Sequence, residues 1–200
     1  MKNKKNQKIE LEKILDREFT ELKKSLNNAS HEYHSFYFST INSNKPSTRT
    51  VILRDLNDNL LFFNSDIRSS KIQDIYSNPQ VSALFYDKDR GVQLRINGTA
   101  KVNHGNEFAR KVWSNVSLQS RKCYMGPFKP GVRLNEWIPN LPEKYLKSDP
   151  KIEDSQSGFL NFCSIEISII TLEVLELHYD GHIRFMVDYN SDKEMHYIAT

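Results

Sequence analysis

The stretch VQLRINGTAKV, residues 92–102, decides how the rest of the chain is interpreted. In its first half Val92, Leu94 and Ile96 project to one side, and the polar residues between them project to the other. A period of two is typical of a strand with one buried and one solvated face. The sequence therefore predicts a half-buried strand of an antiparallel sheet over residues 92–102.

Other short segments rich in aromatic and β-branched residues flank this strand and are also predicted as strands. Turn residues such as Asn57-Asp58-Asn59 separate them. The predicted strands are residues 33–41, 50–56, 60–63, 81–86, 159–177 and 183–189, with 159–177 either a strand pair or one strongly bent strand. Many strands joined by short turns predict an α+β fold, mainly antiparallel β, in the form of a barrel with flanking helices.

Three segments follow the period of a helix instead. Residues 8–28 carry apolar side chains at spacings of three and four, from Leu11 to Leu26, with lysines and glutamates between them. Ser69 is predicted to cap a short helix that ends at Tyr76, before Asn78-Pro79. A further helix is predicted over residues 105–114.

Five of the 7 prolines lie between Pro127 and Pro150. We predict a long proline-rich loop over residues 126–158, which is either disordered or a functional cover. Its Trp137 is a candidate anchor for a partner or ligand. The whole chain, residues 1–200, is predicted to be a single domain with an N-terminal helix in residues 1–30.

Glycine is scarce. The chain has 7 glycines in 200 residues, about half of what average usage would give. Neither G-x-G-x-x-G nor G-x-x-x-x-G-K-[ST] occurs, which excludes the glycine-rich loops that hold nucleotide phosphates through the backbone. A phosphate bound by this protein must therefore be held by side chains.

Charge and cysteine content favour a cytoplasmic protein that binds a small molecule. The net charge of +3 is too weak to indicate nucleic-acid binding. Cys123 and Cys163 are 40 positions apart and form no metal or redox motif. No segment has the composition of a secretory signal or a membrane span, so we expect a cytoplasmic protein without a membrane partner.

A basic cluster gives the first indication of a site. Ser70 and Lys71 stand at the start of a predicted helix, where free N–H groups favour an anion. Arg49, on a neighbouring predicted strand, can close a clamp on that anion. Taken singly, each of these basic residues is more typical of solvated surface than of a phosphate site.

Four motifs occur in a fixed order: R-x-V-x-L-R at residues 49–54, F-N-S-D-x-R-S-S-K at 63–71, N-P at 78–79 and Q-L-R-I-N-G within 93–98. In this order they resemble the pyridoxamine 5′-phosphate oxidase-like family of FMN-binding split β-barrels. The chain is most similar to the branch with no assigned substrate. The resemblance covers residues 35–131 well and residues 159–189 more loosely, and it implies a six-stranded split barrel.

The resemblance also implies a cofactor, FMN, and residues that hold it. Arg49 and Lys71 would bind the FMN phosphate, and Gln93 would meet the flavin ring. Arg184 would reach the flavin of a second subunit, because the family forms homodimers with FMN at the interface. The full implied cofactor-binding set is Arg49, Thr50, Val51, Ile52, Leu53, Arg54, Asn64, Ser65, Ser70, Lys71, Gln93 and Arg184.

Three departures from the family pattern put oxidation of pyridoxine phosphate in doubt. Asp180-Gly181-His182 stands where the oxidases have R-L-H, and Glu176 or Leu177 replaces their flavin-stacking tryptophan. Ser70 replaces the usual arginine before the clamp lysine. Arg121 and His182 are the candidate substrate-binding residues, and no catalytic residue is predicted.

Several alternatives remain open at this point. His31 with His34, or His178 with His182, can in principle bind a metal, but the ligand spacing favours surface residues and no metal site is predicted. The function is either that of an FMN-dependent oxidoreductase acting on a small substrate or that of a non-catalytic FMN carrier or sensor. An RNA-binding barrel is the weakest hypothesis, because no stacking aromatics accompany Arg95 on its polar face.

Overall fold

The first element is the amphipathic helix α1, Lys4–Ser25. The computed structural model describes residues 4–200, with side chains described from Lys8 onward; Met1 to Asn3, part of the predicted N-terminal region, lie outside the described residues. Leu11, Ile14 and Leu22 are buried, as the spacing predicts. The helix ends three residues earlier than predicted, where Ser25 donates a hydrogen bond to the carbonyl oxygen of Leu22.

Across residues 4–200, nine antiparallel strands form one sheet, in the order β2-β1-β5-β6-β7-β4-β3, with β8 on β7 and β9 on β8. Their bounds are β1 Ser35–Asn42, β2 Lys45–Ile52, β3 Asp55–Asn57, β4 Leu60–Asp66, β5 Gln80–Asp87, β6 Val92–Asn103, β7 Phe162–Glu176, β8 Ile183–Asp188 and β9 Glu194–Tyr197. The predicted fold class, mainly antiparallel β with flanking helices, is confirmed. Six of the strands have seven or more residues; β3, β8 and β9 are the shorter additions.

The strand predicted over residues 50–56 is wrong in its extent. The chain turns tightly at Ser43 and Asn44, both with positive φ, so β2 already begins at Lys45. It ends at Ile52, and Leu53 and Arg54 separate it from β3. No strand pairing in the described residues joins β2 to β3, so the sheet stays open there. A hydrogen bond of 2.8 Å from the Arg54 amide to the Phe62 carbonyl oxygen joins this two-residue link to β4.

The long segment before residue 177 is one strand, not a pair. One edge of β7 pairs with β6 along its length, with a register shift beside Gly98. Its other edge pairs with β4 over residues 162–168 and with β8 over residues 171–176. A Cβ on Gly98 would lie 2.2 Å from the Ser168 carbonyl oxygen, so only glycine allows the two strands to approach this closely.

The two faces of the sheet differ as the alternation of β6 predicts. Val92, Leu94 and Ile96 are buried in a core that also contains Phe36 and Phe38 of β1. Gln93, Arg95 and Asn97 project from the outer face. The outer face continues onto β5 and β1, where Tyr86 and Tyr37 are exposed. None of the described helices covers these two tyrosines.

In the described part of the chain, four further α-helices lie around the sheet: α2 Ser70–Ser77, α3 Glu107–Asn115, α4 Leu118–Lys122 and α5 Ile152–Ser155. The predicted loop over residues 126–158 contains α5 and a turn of 3₁₀ helix, Glu143–Tyr145, so it is not structureless. Its first part returns on itself, because the Asn140 side chain hydrogen-bonds both the amide and the carbonyl oxygen of Phe128. Trp137 is 87% exposed at this loop's surface. Among the described helices, none is long and apolar enough to cross a membrane.

A buried carboxylate fastens α1 to the sheet. Glu18, with no exposed surface, accepts hydrogen bonds of 2.9 and 2.8 Å from Arg90 and one of 2.8 Å from the Tyr33 hydroxyl. Arg90 also pairs with Asp87 at 2.6 Å, and Arg17 pairs with both Glu18 and Glu176. Burial would raise the pKa of Glu18, but the bonds from Arg90, Arg17 and Tyr33 outweigh it and lower the pKa below 4.5.

We expect this network to make folding stability depend on acid pH. The pKa values of Glu18 and Asp87 are lower in the folded protein, so the stabilisation is complete above about pH 4.5 and is lost as the pH falls through the folded-state values. Glu18→Gln leaves Arg90 short of its partner and should reduce the free energy of unfolding by about 3 kcal/mol at pH 7. Urea unfolding at pH 7, 5 and 3.5 measures both effects.

The control is Glu12→Gln, at an exposed glutamate of the same helix. It should leave the free energy of unfolding unchanged within about 0.5 kcal/mol. A Glu18→Gln protein that retains the full pH dependence of the wild type would contradict this role of Glu18.

Candidate functional site

The start of α2 carries a lysine whose ammonium group is held by two serines. Lys71 Nζ donates to Ser65 Oγ at 3.1 Å and to Ser69 Oγ at 2.9 Å. Both serines are buried, with exposures of 6% and 4%. Ser69 precedes α2 as predicted, but its hydroxyl makes no capping bond to the helix. The first-turn amides of α2 and the lysine therefore face the same region.

Arg49 of β2 brings a second positive charge to this region. Its Nη1 donates to Thr40 Oγ1 and to the Ser47 carbonyl oxygen, each at 2.9 Å. Burial lowers the pKa of Lys71, and the nearby charge of Arg49 lowers it further. Two partly desolvated like charges repel, so an anion placed between them gains a strong interaction. We call Arg49, Ser65, Ser69, Ser70 and Lys71 the basic cluster.

A cavity of about 300 Å³ lies on the other side of β4, beneath α3 and α4. Its lining residues are Arg54, Asn64, Val112, Asn115, Val116, Ser117, Ser120 and Tyr124. Within the described protein the buried Oδ1 of Asn64 has no hydrogen-bond partner. A buried acceptor without a partner costs free energy, and a bound molecule with an N–H or O–H group can satisfy it.

β4 separates the predicted cofactor residues into two groups. Asn64 and Ser65 are consecutive, so their side chains point to opposite faces of the strand. Ser65 points toward Lys71, and Asn64 points into the cavity with Arg54. The basic cluster and the cavity are thus adjacent, with one strand between them.

In the stretch from Thr50 to Arg54, two backbone amides are bonded within the protein. The amide of Leu53 donates to the His34 carbonyl oxygen, and that of Arg54 donates to Phe62. Leu53 is completely buried in the core, so its side chain cannot touch a ligand at the surface. Thr50, Val51 and Ile52 remain partly accessible on β2.

Gln93 and Arg184 lie in another region, on the outer face of the sheet. Gln93 of β6 faces Leu175 of β7, which in turn faces Arg184 of β8. Arg184 donates to Glu173 at 3.0 Å and to the Ala199 carbonyl oxygen at 3.1 Å, while its buried Nε has no partner among the described residues. Four strands separate β8 from β2 along the sheet.

Arg121 is buried and already surrounded by acceptors. Its guanidinium donates to the carbonyl oxygens of Trp113, Ser114 and Val116 and to the Ser155 hydroxyl. These bonds join α3, α4 and α5, which is a structural role; its predicted contact with a substrate stays a prediction.

The histidines occupy local structural positions. His182 lies in the turn before β8, and its ring accepts a hydrogen bond from the His178 amide at 3.2 Å. His31 contacts Glu21, and His34 contacts the Ser25 carbonyl oxygen. Among residues 4–200, no group of three or more His, Cys, Asp or Glu side chains is arranged to hold a metal ion.

Three residues near the basic cluster and the cavity were missed by the sequence or given another role. Asp74 is buried one helical turn after Lys71, and Thr40 is buried at an inward position of β1. The third is Tyr124, which lines the cavity. Two signals in the sequence were available. Thr40 lies two residues after Phe38 and therefore points to the same inner face of β1, and Asp74 lies four residues after Ser70, on the same face of α2.

Comparison with known protein families gives the same assignment as the motifs. Residues 17–104 match the model of the pyridoxamine 5′-phosphate oxidase FMN-binding domain. The chain is 32% identical over 149 residues to a pyridoxine/pyridoxamine 5′-phosphate oxidase of Psychrobacter sp. strain PRwf-1, covering 69% of each protein. The chain belongs to the pyridoxamine 5′-phosphate oxidase family. The family domain that it matches binds FMN.

Other members of the pyridoxamine 5′-phosphate oxidase family match a smaller part of their own length. Pyridoxine/pyridoxamine 5′-phosphate oxidase 2 of Arabidopsis thaliana is 35% identical over 133 residues, which cover 60% of this chain and 65% of that protein. The namesake from Hydrogenovibrio crunogenus is 29% identical over 113 residues, 56% of this chain and 47% of that protein. The chain thus spans between about half and two thirds of these relatives.

Solved structures related to the family show the same fold. A pyridoxamine 5′-phosphate oxidase-related, FMN binding protein from Nostoc punctiforme has a TM-score of 0.69 at 20% identity, covering 88% of this chain and 92% of that one. PhzG from Burkholderia lata, in complex with tetrahydrophenazine-1-carboxylic acid, has a TM-score of 0.65 at 15% identity, covering 94% and 91%.

The residues present fit the FMN of the pyridoxamine 5′-phosphate oxidase family. Phosphate needs cations and donors, which the basic cluster supplies through Arg49, Lys71 and the serine hydroxyls. The unpartnered Asn64 Oδ1 suits a donor on a bound molecule. The family's flavin-stacking tryptophan has no counterpart here. Glu176, one of the two residues that can stand in its place, is buried and paired with Arg17.

We expect Lys71→Ala and Arg49→Ala each to weaken FMN binding about tenfold or more, because each removes a charge-assisted hydrogen bond. Quenching of flavin fluorescence on titration measures the dissociation constant. Lys101→Ala, at an exposed lysine of β6, serves as the control and should bind FMN like the wild type. Unchanged affinity in both cluster variants would remove the phosphate assignment.

Proposed function

We propose that this protein is an FMN-dependent oxidoreductase that acts on a small anionic substrate. Bound FMN supplies the capacity for hydride transfer. The chain supplies an anchor for the cofactor phosphate at the basic cluster and a cavity for the substrate beside Arg54 and Asn64. The adjacency of these two sites across β4 is the observation that carries the proposal.

The chemistry of the cavity supports a small polar anion as substrate. Its volume of about 300 Å³ is at the lower end for small-molecule sites. Arg54 is the one charged residue in its lining, which otherwise offers amides, hydroxyls and two valines. Burial raises the pKa of Tyr124, which therefore stays a neutral hydroxyl that can donate or accept a hydrogen bond at neutral pH.

The names of the relatives support an oxidase but do not define the substrate. Asp180-Gly181-His182 lacks the arginine with which the oxidases bind their substrate, and these residues are exposed in a turn. An acidic residue in that place disfavours a substrate phosphate. We therefore propose a substrate other than pyridoxine 5′-phosphate.

The first experiment is the visible spectrum of the purified protein. We expect a yellow protein, or one that becomes yellow on titration with FMN, and bleaching by NADPH or NADH with repeated turnover. A colourless protein that takes up no FMN would overturn the proposed function. Lys71→Ala, stripped of flavin, is the control for bleaching that does not depend on the bound cofactor.

The same experiment decides between an enzyme and a carrier or sensor. Tight FMN binding without turnover by either reduced nicotinamide would favour the carrier. The carrier or sensor stays an alternative because Asp180 and Glu176 stand where the family has its arginine and its tryptophan.

We also propose that two copies pair through the outer face of the sheet, with FMN sites at the interface. Tyr37 and Tyr86 are 52% and 42% exposed on that face, beside Leu84 and Leu175. Exposed aromatic side chains on a sheet favour association. Because four strands separate Arg184 from Arg49, Arg184 would serve a flavin held by the second copy.

Light scattering after size-exclusion chromatography should give twice the chain mass of 23.4 kDa. Replacing both tyrosines, Tyr37→Glu with Tyr86→Glu, places two charges in the interface and should yield the single-chain mass. Tyr76→Glu, at a 61% exposed tyrosine of α2, is the matched control and should leave the mass doubled. A wild-type protein with the single-chain mass would refute the pairing.

A further inference from the structure

A buried carboxylate lies next to the basic cluster and has no role in the preceding proposal. Asp74 of α2 is 3% exposed. Its Oδ1 accepts a hydrogen bond of 2.8 Å from Asn42 Nδ2, and its Oδ2 accepts one of 2.7 Å from Thr40 Oγ1. Burying a charge is costly, so its partners must compensate for the lost water.

Thr40 connects this carboxylate to Arg49. Its hydroxyl is completely buried, donates to Asp74 and accepts from Arg49 Nη1 at 2.9 Å. A hydroxyl has one proton to donate, so the bond to Asp74 turns the oxygen lone pairs toward the guanidinium. Arg49 Nη2 lies 3.7 Å from Asp74 Oδ2, close enough for direct attraction.

We propose that Thr40 and Asp74 are positioning residues that hold the Arg49 guanidinium ready for the cofactor phosphate. By doing so they set the preference for phosphorylated flavin over riboflavin. The inference rests on the proposed phosphate role of Arg49.

Two physical effects make such a support necessary. An arginine side chain loses considerable rotational freedom when it is fixed, and fixing it before binding removes that cost from the binding step. Arg49 and Lys71 also repel each other: burial lowers the pKa of Lys71, and the charge of Arg49 lowers it further. Asp66 and Asp74 both oppose this effect at Lys71, and Asp74 also lies 3.7 Å from Arg49, so it offsets the charge of both cations.

Asp74 alone gives an ambiguous test, because its negative charge also repels a phosphate. Thr40 resolves the ambiguity, since it is uncharged and acts only through its hydrogen bonds. Thr40→Val preserves the shape and removes both bonds, while Thr40→Ser keeps the hydroxyl. Ser39→Ala is the matched control, because Ser39 is the adjacent residue of β1 and bonds Thr48 on the other face.

The experiment compares dissociation constants for FMN and riboflavin by fluorescence titration. We expect Thr40→Val and Asp74→Asn each to weaken FMN binding about fivefold, the effect of losing one hydrogen bond. Riboflavin affinity should not change, and Thr40→Ser and Ser39→Ala should bind FMN like the wild type. In an Arg49→Ala background, neither Thr40→Val nor Asp74→Asn should weaken FMN binding further.

Three results would overturn the inference. They are an unchanged FMN-to-riboflavin preference in Thr40→Val, tighter FMN binding in Asp74→Asn, or equal losses with and without Arg49. If Asp74→Asn does not fold, the comparison of Thr40→Val with Thr40→Ser decides alone. Failure of the site assignment is distinguishable, because Arg49→Ala itself would then bind FMN normally.

Discussion

The architecture depends on the pairing of β7. One edge of this fifteen-residue strand pairs with β6, while its other edge changes partner from β4 to β8 beside the register shift at Gly98. An extra residue in one strand of a pair bends the sheet and increases its twist. Because β4 carries Ser65 and Asn64, and β8 carries Arg184, this single irregularity determines where the candidate site residues stand.

Charged residues cluster at two places in the molecule, around a buried carboxylate at α1 and around two cations at α2. At α1, a buried carboxylate is surrounded by arginines and a hydroxyl, and nearly all of its hydrogen-bonding capacity is used inside the protein. At α2, the buried Asp74 lies beside two cations whose ligand-facing positive charge remains available. The first arrangement is complete in itself, whereas the second is suited to an anionic ligand.

The sequence predicted the fold class because alternation in β6 and helical spacing in α1 reflect burial directly. The family resemblance implied that Arg49, Ser65 and Lys71 surround one phosphate, and in the structure Lys71 donates a hydrogen bond to Ser65. It did not predict the division of Asn64 from Ser65, which depends on what packs against each face of β4. The relay through Thr40 and Asp74 joins residues 34 positions apart, and such contacts require the tertiary structure.

The opposite directions of Asn64 and Ser65 restrict how this protein can change during evolution. A shift of β4 by one residue against β7 would turn every side chain of that strand to the other face. Ser65 would then leave Lys71, and either Phe63 or Ser65, depending on the direction of the shift, would take the place of Asn64 beneath α3. An insertion or deletion in β4 would therefore disrupt both sites at once, whereas a side-chain change in the cavity lining leaves the strand register intact, so new specificities would arise by changing the lining rather than the strand.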